Sequence, residues 1–288
     1  KISVPKSTLN EIYKKVRNFP WSAAQNMNGW EYGTNLNYLK NISKYWITKY
    51  NWKKFENKIN SFKNYKTKVE DINLHFIFEK SKNPNSKPLL LLHGWPGSIT
   101  EFLDIIPRLA HPEKFGGKIE DGFDIIVPSL PGFGFSSQIK KALGPRKIGK
   151  ILNKFMVKNL GYKNYFVQGG DWGATIAGWI GLDSSKNCKG IHINCLPLRH
   201  PKGTKNIKEK KWEKKFNFDQ IMQEGYRTQQ ATKPQTLSYA MIDSPVGTAA
   251  WILEKFHGWS DLKMGKIEKT FSKDELLSNI MIYIITKS

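Results

Sequence analysis

The stretch "VQGGDWGATIAGW", residues 167–179, constrains the fold more than any other part of the chain. A short apolar run, Tyr165-Phe166-Val167, meets two glycines, then Asp171-Trp172-Gly173, then a helix-like Ala/Ile/Ala/Trp pattern. Small residues on both sides of one carboxylate let the backbone take strained dihedrals and let strand and helix approach closely. The reading is strand, sharp turn, helix, with Asp171 at the apex. A rival reading makes Asp171 an ordinary N-cap for the helix that follows.

Strand-like and helix-like stretches alternate through the middle of the chain. "TKVEDINLHFIFEK" reads as a hairpin turning at Asp71-Ile72-Asn73, and "LLLL" (89–92) as a buried strand. "FDIIVP", "YFVQGG" and "GIHINCL" (190–196) supply three more strands, with helical patterns at 98–110, 146–160 and 173–182 between them. This order implies an α/β fold with a mostly parallel sheet and helical crossovers. Residues 1–65 read as helical and rich in aromatic core residues. There Pro5 opens one helix, and Thr34 or Asn35 caps another. After Pro197 the pattern breaks into the polar "LRHPKGTKNIKEKKWEKKFN", and 218–286 reads as amphipathic helices. Among these, Ser244-Pro245 and Ser272/Glu275 are start signals. The expected organisation is a helical segment over 1–65, an α/β core over 66–200 and an all-helical cap over 201–288.

Composition excludes several function classes. With 288 residues, 39% hydrophobic and 13% aromatic, the chain can bury a core and is not a disordered polymer. The net charge of +22 comes almost wholly from lysines scattered among asparagines. That pattern reads as solvated faces, and no nucleic-acid-binding signature accompanies it. Cys188 and Cys195 form no CxxC and are expected as buried thiols. No metal-ligand spacing is present. Gly144-Pro145-Arg146-Lys147-Ile148-Gly149-Lys150 imitates a phosphate-binding loop, but Ile151 stands where a hydroxyl is needed and no strand precedes it. No cofactor is expected.

The chemistry follows from the apex. A carboxylate nucleophile forms an ester with an electrophilic sp3 carbon, and this splits one displacement into two steps. The loop His93-Gly94-Trp95-Pro96-Gly97-Ser98, after the strand at 89–92, offers one backbone N–H. The residue after the apex, Trp172, offers a second, and the pair would form an oxyanion hole. His93 itself is expected to be structural.

"HGWPGS", "PSLPGFGFS" and "YFVQGGDWG", in this order, resemble the core motifs of the epoxide hydrolases of the α/β-hydrolase superfamily, of the microsomal and juvenile-hormone type. "WEYGTNLNYLKNISKYW" and "EGYRTQQATKPQTLSYAMIDSPVGTAAWILEKFHGWSD" resemble the family's N-terminal segment and cap. The resemblance implies an α/β-hydrolase core with Asp171 as nucleophile and Trp95 and Trp172 as oxyanion-hole amides. It implies Tyr226 as a proton donor to the opening epoxide, and Phe133 and Phe135 are expected in an apolar substrate pocket. It also implies an acid and a His that follow the cap, together with the last strands of the sheet. None of these is found by residue 288, and His192, His200 and His257 do not replace that His. The expectation is therefore a C-terminally truncated member, incomplete for turnover, with residues 190–196 left as an exposed edge strand. The substrate is expected to be a small apolar epoxide, juvenile hormone being one candidate, with water as co-substrate. The resemblance further implies an endoplasmic-reticulum membrane setting through an N-terminal anchor absent from this chain. Two alternatives stay open: a haloalkane dehalogenase-like hydrolase, and a hydrophobic-ligand binder without turnover.

Overall fold

The computed structural model describes residues 1–25, 27, 29–196 and 203–288. Three helices lead: α1 (Lys6–Arg17), α2 (Leu36–Thr48) and α3 (Trp52–Asn60). The sheet strands are β1 (Asn64–Val69), β2 (Ile72–Glu79), β3 (Lys87–Leu92), β4 (Phe123–Pro128), β5 (Tyr165–Gly169) and β6 (Cys188–Ile193). Between them lie α4 (Ile106–Ala110), α5 (Pro145–Lys154) and α6 (Trp172–Asp183). Five helices close the chain: α7 (Ile207–Gln223), α8 (Gly225–Thr232), α9 (Pro234–Asp243), α10 (Pro245–Gly258) and α11 (Lys273–Thr286).

The six strands form one sheet in the order β1-β2-β4-β3-β5-β6. β1/β2 and β2/β4 are antiparallel, whereas β4/β3, β3/β5 and β5/β6 are parallel. The mostly parallel α/β sheet expected from the sequence is therefore observed. Leu90, Leu91 and Leu92 are all buried, because β3 lies between two parallel neighbours with helices over its faces. At one edge β1 exposes Lys66 and Lys68, charges that discourage further strand pairing. At the other edge, among the described residues, β6 pairs with β5 alone. The β1–β2 hairpin closes on the Val69–Ile72 pair, so its loop is Glu70-Asp71, with Glu70 at φ 53. This loop begins one residue before the expected turn.

Local details depart from the sequence reading for identifiable reasons. The helix expected over 98–110 is a 3-10 turn (Ile99–Phe102) followed by α4. Pro107 has no N–H to continue a preceding helix, so the chain restarts there. Beyond α5 the chain widens into a π turn, Phe155–Asn159, where Leu160 N donates to Phe155 O at 3.1 Å. α7 begins at Ile207, well before the expected helical region. Asn206 and Glu209 form a reciprocal cap: Glu209 N donates to Asn206 Oδ1 at 2.9 Å, and Asn206 N to Glu209 Oε2 at 3.4 Å. Cys188 is buried, but Cys195 is exposed past the end of β6, so only one of the two thiols is in the core.

The chain divides into two compact units. One comprises residues 1–10, 49–196 and 273–288, and the other 11–48 and 197–272. The three consecutive segments expected from the sequence divide the chain differently, since α11 groups with the sheet. In the sheet unit, Leu90, Leu92, Ile126, Phe155, Val167 and Ile176 share one core. In the helical unit, Leu39, Ile42 and Trp46 of α2 and Val246, Ala249, Ile252 and Leu253 of α10 are buried. Asn35 caps α2 through Tyr38 N at 2.9 Å, and Ser244 caps α10 through Gly247 N at 3.0 Å. Trp46 and Trp52 of the N-terminal segment are fully enclosed, as expected, whereas Tyr32 and Tyr65 are exposed.

Three histidines, His75, His93 and His111, are buried in the sheet unit. His75 meets Ser129 Oγ at 2.9 Å and Asn64 Oδ1 at 3.0 Å. Burial lowers its pKa to about 3. A group whose folded pKa is depressed holds fewer protons folded than unfolded below its ordinary value near 6.5. Its contribution is thus intact above that pH and is lost as pH falls toward 3. His75→Gln is expected to flatten the fall of unfolding free energy between pH 6.5 and 4 by about 1.4 kcal/mol per pH unit. Urea melts across that range measure it; parallel slopes for the two proteins would contradict the assignment.

Candidate functional site

β5 delivers Asp171 and β3 delivers the loop opposite it, and the two strands are hydrogen-bonded neighbours. Asp171 has φ 49 and ψ −122, a conformation costing a non-glycine residue about 1–3 kcal/mol. Its backbone occupies the cap position of α6, yet its side chain makes no cap hydrogen bond. The hydrogen bond of an ordinary N-cap, to the second or third amide of the helix, is therefore not made. Instead Trp95 N donates to Asp171 Oδ1 at 2.9 Å across 76 residues of sequence.

Close packing explains the glycines. A Cβ on Gly173 would overlap the carbonyl of Leu92, so only glycine lets the start of α6 pass over the end of β3. A Cβ on Gly94 would fall on the Asp171 carboxyl itself. Both contacts join the helix-side elbow to the β3 side.

Burial raises the Asp171 pKa from its ordinary value, and the backbone amides of Trp95 and Trp172 pull it back down. The two amides expected to form an oxyanion hole thus both act on this carboxyl. The residue keeps solvent contact, and the Trp172 side chain is 48% exposed. A second carboxyl lies nearby. Glu101 is pushed up to about 7, first by loss of hydration and then by the charge of Asp171, and is eased by the Gly94 amide. The charge of Asp171 thus disfavours a second charge on Glu101.

Glu101 was not expected at the site. It lies three residues after Ser98, the spacing of a capping box, and Ser98 Oγ does accept from Thr100 N at 3.3 Å. Its carboxyl turns instead to Gly94 and fills the space over Gly97. His93 is structural as expected. Its Nε2 accepts from Leu130 N at 3.0 Å, and burial lowers its pKa to about 4.

The aromatic residues separate. Phe133 meets His93 edge-on at 5.7 Å and Tyr283 at 6.5 Å, beside the loop. Phe135 packs against His75 at 5.2 Å and lines a cavity of about 540 Å³ with Lys1, Thr8, Asn64 and Ile285. The intervening Gly134, at φ 50, turns the chain and sends the two rings to different places. Phe133 and Phe135, both expected in the substrate pocket, thus line different places.

Tyr226 lies in α8, in the helical unit, half-buried. Its ring packs on Trp259 at 4.8 Å, and Lys255 Nζ sits 4.9 Å from its centroid. Of the other histidines weighed in the sequence, His192 is on exposed β6 and His257 stacks on Trp30 at 3.9 Å. His200 lies outside the described residues. No group of His, Cys, Asp and Glu with metal-binding geometry occurs among the described residues.

The Gly94 contact gives a direct test of the elbow. Gly94→Ala is expected to cost about 1–3 kcal/mol of stability, because carboxyl or loop must move. Gly178→Ala, in α6 with open space around it, is expected to add up to about 1 kcal/mol. Thermal melts of both variants decide it: a neutral Gly94→Ala would mean that the two chain segments are not in contact.

Comparison with known proteins agrees with this architecture. Residues 1–102 match the family described as "Epoxide hydrolase N terminus", and residues 87–266 match "alpha/beta hydrolase fold". The chain is 39% identical over 290 residues to a "Putative epoxide hydrolase" of Stigmatella aurantiaca, covering 99% of this chain and 66% of that protein. It is 36% identical over 316 residues to "Epoxide hydrolase 1" of Oryctolagus cuniculus, covering 100% of this chain and 69% of the relative. The solved juvenile hormone epoxide hydrolase of the silkworm Bombyx mori superposes with a TM-score of 0.89 at 31% identity, covering 100% of this chain and 73% of that one. The Aspergillus niger epoxide hydrolase structure gives 0.86 at 27%, covering 100% and 74%. The chain spans about two thirds of the length of the curated relatives it matches. By sequence and by fold, this chain belongs to the epoxide hydrolase family of the α/β-hydrolase fold.

Proposed function

We propose that the chain opens apolar epoxides by attack of the Asp171 carboxylate on an epoxide carbon. A bond forms from one carboxylate oxygen to carbon, and the epoxide C–O bond breaks. The released oxygen takes a proton from Tyr226, a phenol whose ordinary pKa near ~10 leaves it protonated at neutral pH. The product of this step is an alkyl ester on Asp171. Water attack on the ester carbonyl would give the diol, with the amides of Trp95 and Trp172 holding the oxyanion. The base for the water step is assigned to no residue of this chain.

The observation that carries the reading is the apex carboxylate itself. It is held at a positive φ and bonded to the Trp95 amide of a different strand's loop, with the Trp172 amide also turned to it. A capping role does not need this arrangement, whereas a nucleophile poised beside an oxyanion hole does. Relatives named as juvenile hormone epoxide hydrolases, among them one from Ctenocephalides felis at 34% identity, make a lipophilic epoxide the first substrate class to try. A setting at the endoplasmic-reticulum membrane is part of the same reading. Among the described residues no helix is long and apolar enough to cross a membrane. Surface lysines would favour an acidic leaflet by about 1 kcal/mol per nearby charge.

The test is acid-quenched incubation with an aryl or terpenoid epoxide, followed by peptide mass mapping. The expected result is a mass gain of one epoxide on the peptide containing Asp171, and none in Asp171→Asn. Tyr226→Phe should slow labelling by about 10²-fold. Label that persists in Asp171→Asn, or label on a haloalkane but not on an epoxide, would overturn the reading.

A further inference from the structure

Asn279 and Tyr283 stand one helical turn apart on α11, far in sequence from both the elbow and the loop. Their polar atoms nonetheless converge on the backbone of that loop and the turn after it. Asn279 Nδ2 donates to the carbonyl of Pro96 at 2.7 Å, and the Tyr283 hydroxyl donates to that of Gly97 at 2.6 Å. Asn279 Oδ1 accepts from Ser98 Oγ at 2.8 Å and from Thr100 Oγ1 at 3.3 Å. Asn279, Tyr283 and Ser98 are all buried. A buried amide is costly to leave half-bonded, so this network admits one position of the loop and disfavours others. The N–H of Trp95, which donates to Asp171 Oδ1, belongs to the residue just before the first clamped carbonyl.

On the reading of Asp171 as nucleophile, we propose that Asn279 and Tyr283 are positioning residues for it: they clamp the carbonyls of Pro96 and Gly97 and so keep the Trp95 N–H aimed at the carboxylate. The Trp95 bond favours the ionised carboxylate and opposes the effect of burial. Releasing either carbonyl lets the amide drift, and Asp171 then becomes harder to ionise. The titratable groups facing Asp171 are Glu101, from the turn after the loop, and Tyr283 itself, from α11. Burial and the charges of Glu101 and Asp171 keep the Tyr283 proton in place, so it remains a donor to Gly97.

The experiment is a carbon-13 carboxyl NMR titration of Asp171 in the full chain, assigned with Asp171→Asn. Tyr283→Phe, Asn279→Leu and the milder Ser98→Ala are compared with their parent. All are made in a Glu101→Gln background, so that the second carboxyl does not titrate. The Asp171 midpoint is expected to rise by about 0.5–1 pH unit in Tyr283→Phe and in Asn279→Leu, the size of a weakened charged hydrogen bond. Single-turnover labelling with an epoxide should show about a tenfold lower maximal rate at an unchanged half-saturating concentration. A purely structural role for α11 would lower the melting temperature and leave the midpoint where it was. A midpoint within about 0.2 unit of the parent in every folded variant overturns the clamp. Because the titration requires no epoxide chemistry, the two readings fail separately. A shifted midpoint in a protein that never takes label sustains the clamp and removes the hydrolase reading. Should Tyr283→Phe fail to fold, Asn279→Leu and Ser98→Ala decide the same question.

Discussion

The geometry of the elbow depends on one hydrogen bond between neighbouring strand ends, from the amide of Trp95 to the carboxyl of Asp171. It joins the ends of two adjacent parallel strands, and both ends must be sharp for it to exist. On the β5 side the sharpness comes from a non-glycine residue at positive φ, with glycines packed beneath it. On the β3 side it comes from a loop whose Gly94 leaves no room for a side chain. In an open parallel sheet the space beyond the carboxyl ends of the strands is where crossover loops diverge, and a charged group can there meet backbone amides without being sealed in the core.

Electrostatics at this place is a balance, not a single effect. Loss of hydration pushes both Asp171 and Glu101 toward their protonated forms, and amides oppose it at each. Asp171 has two such amides and Glu101 has one, so the carboxyls are driven apart in acidity. Such a split lets two like groups sit close with a single charge between them, which is less costly than two. Glu101, raised to about 7, keeps its proton through the acidic range.

Much of this was legible in the sequence because it is local. The elbow, the His93–Ser98 loop and the caps at Asn35 and Ser244 each lie within a few consecutive residues, where spacing alone carries the geometry. The buried leucines of β3 were legible as an unbroken apolar run. The Asn206–Glu209 cap was equally local, but it lies in a lysine-rich stretch whose polarity masked a helix start. Phe133 and Phe135 read as a pair, but the positive-φ Gly134 between them turns the two rings apart. Glu101 was hidden by a pattern with two meanings, since the spacing from Ser98 fits a cap as well as it fits a carboxyl turned back on its own loop.

Asn279 and Tyr283 were illegible for a different reason. Their partners lie 183 and 186 residues away, and α11 reads as an amphipathic helix whichever surface it covers. An asparagine among Leu276, Leu277, Ile280 and Met281, all buried, is a local inconsistency that the sequence does expose. A buried amide in an apolar run must find partners, and helical partners are already used by the backbone. The partners available to it are therefore carbonyls and hydroxyls on another segment that no regular ladder satisfies, and the loop after β3 has them. Seen this way, the polar residues inside α11 and the irregular backbone of the loop are two halves of one constraint. The loop departs from regular hydrogen bonding to present an amide to Asp171, and the helix supplies the bonds that this departure leaves unmade.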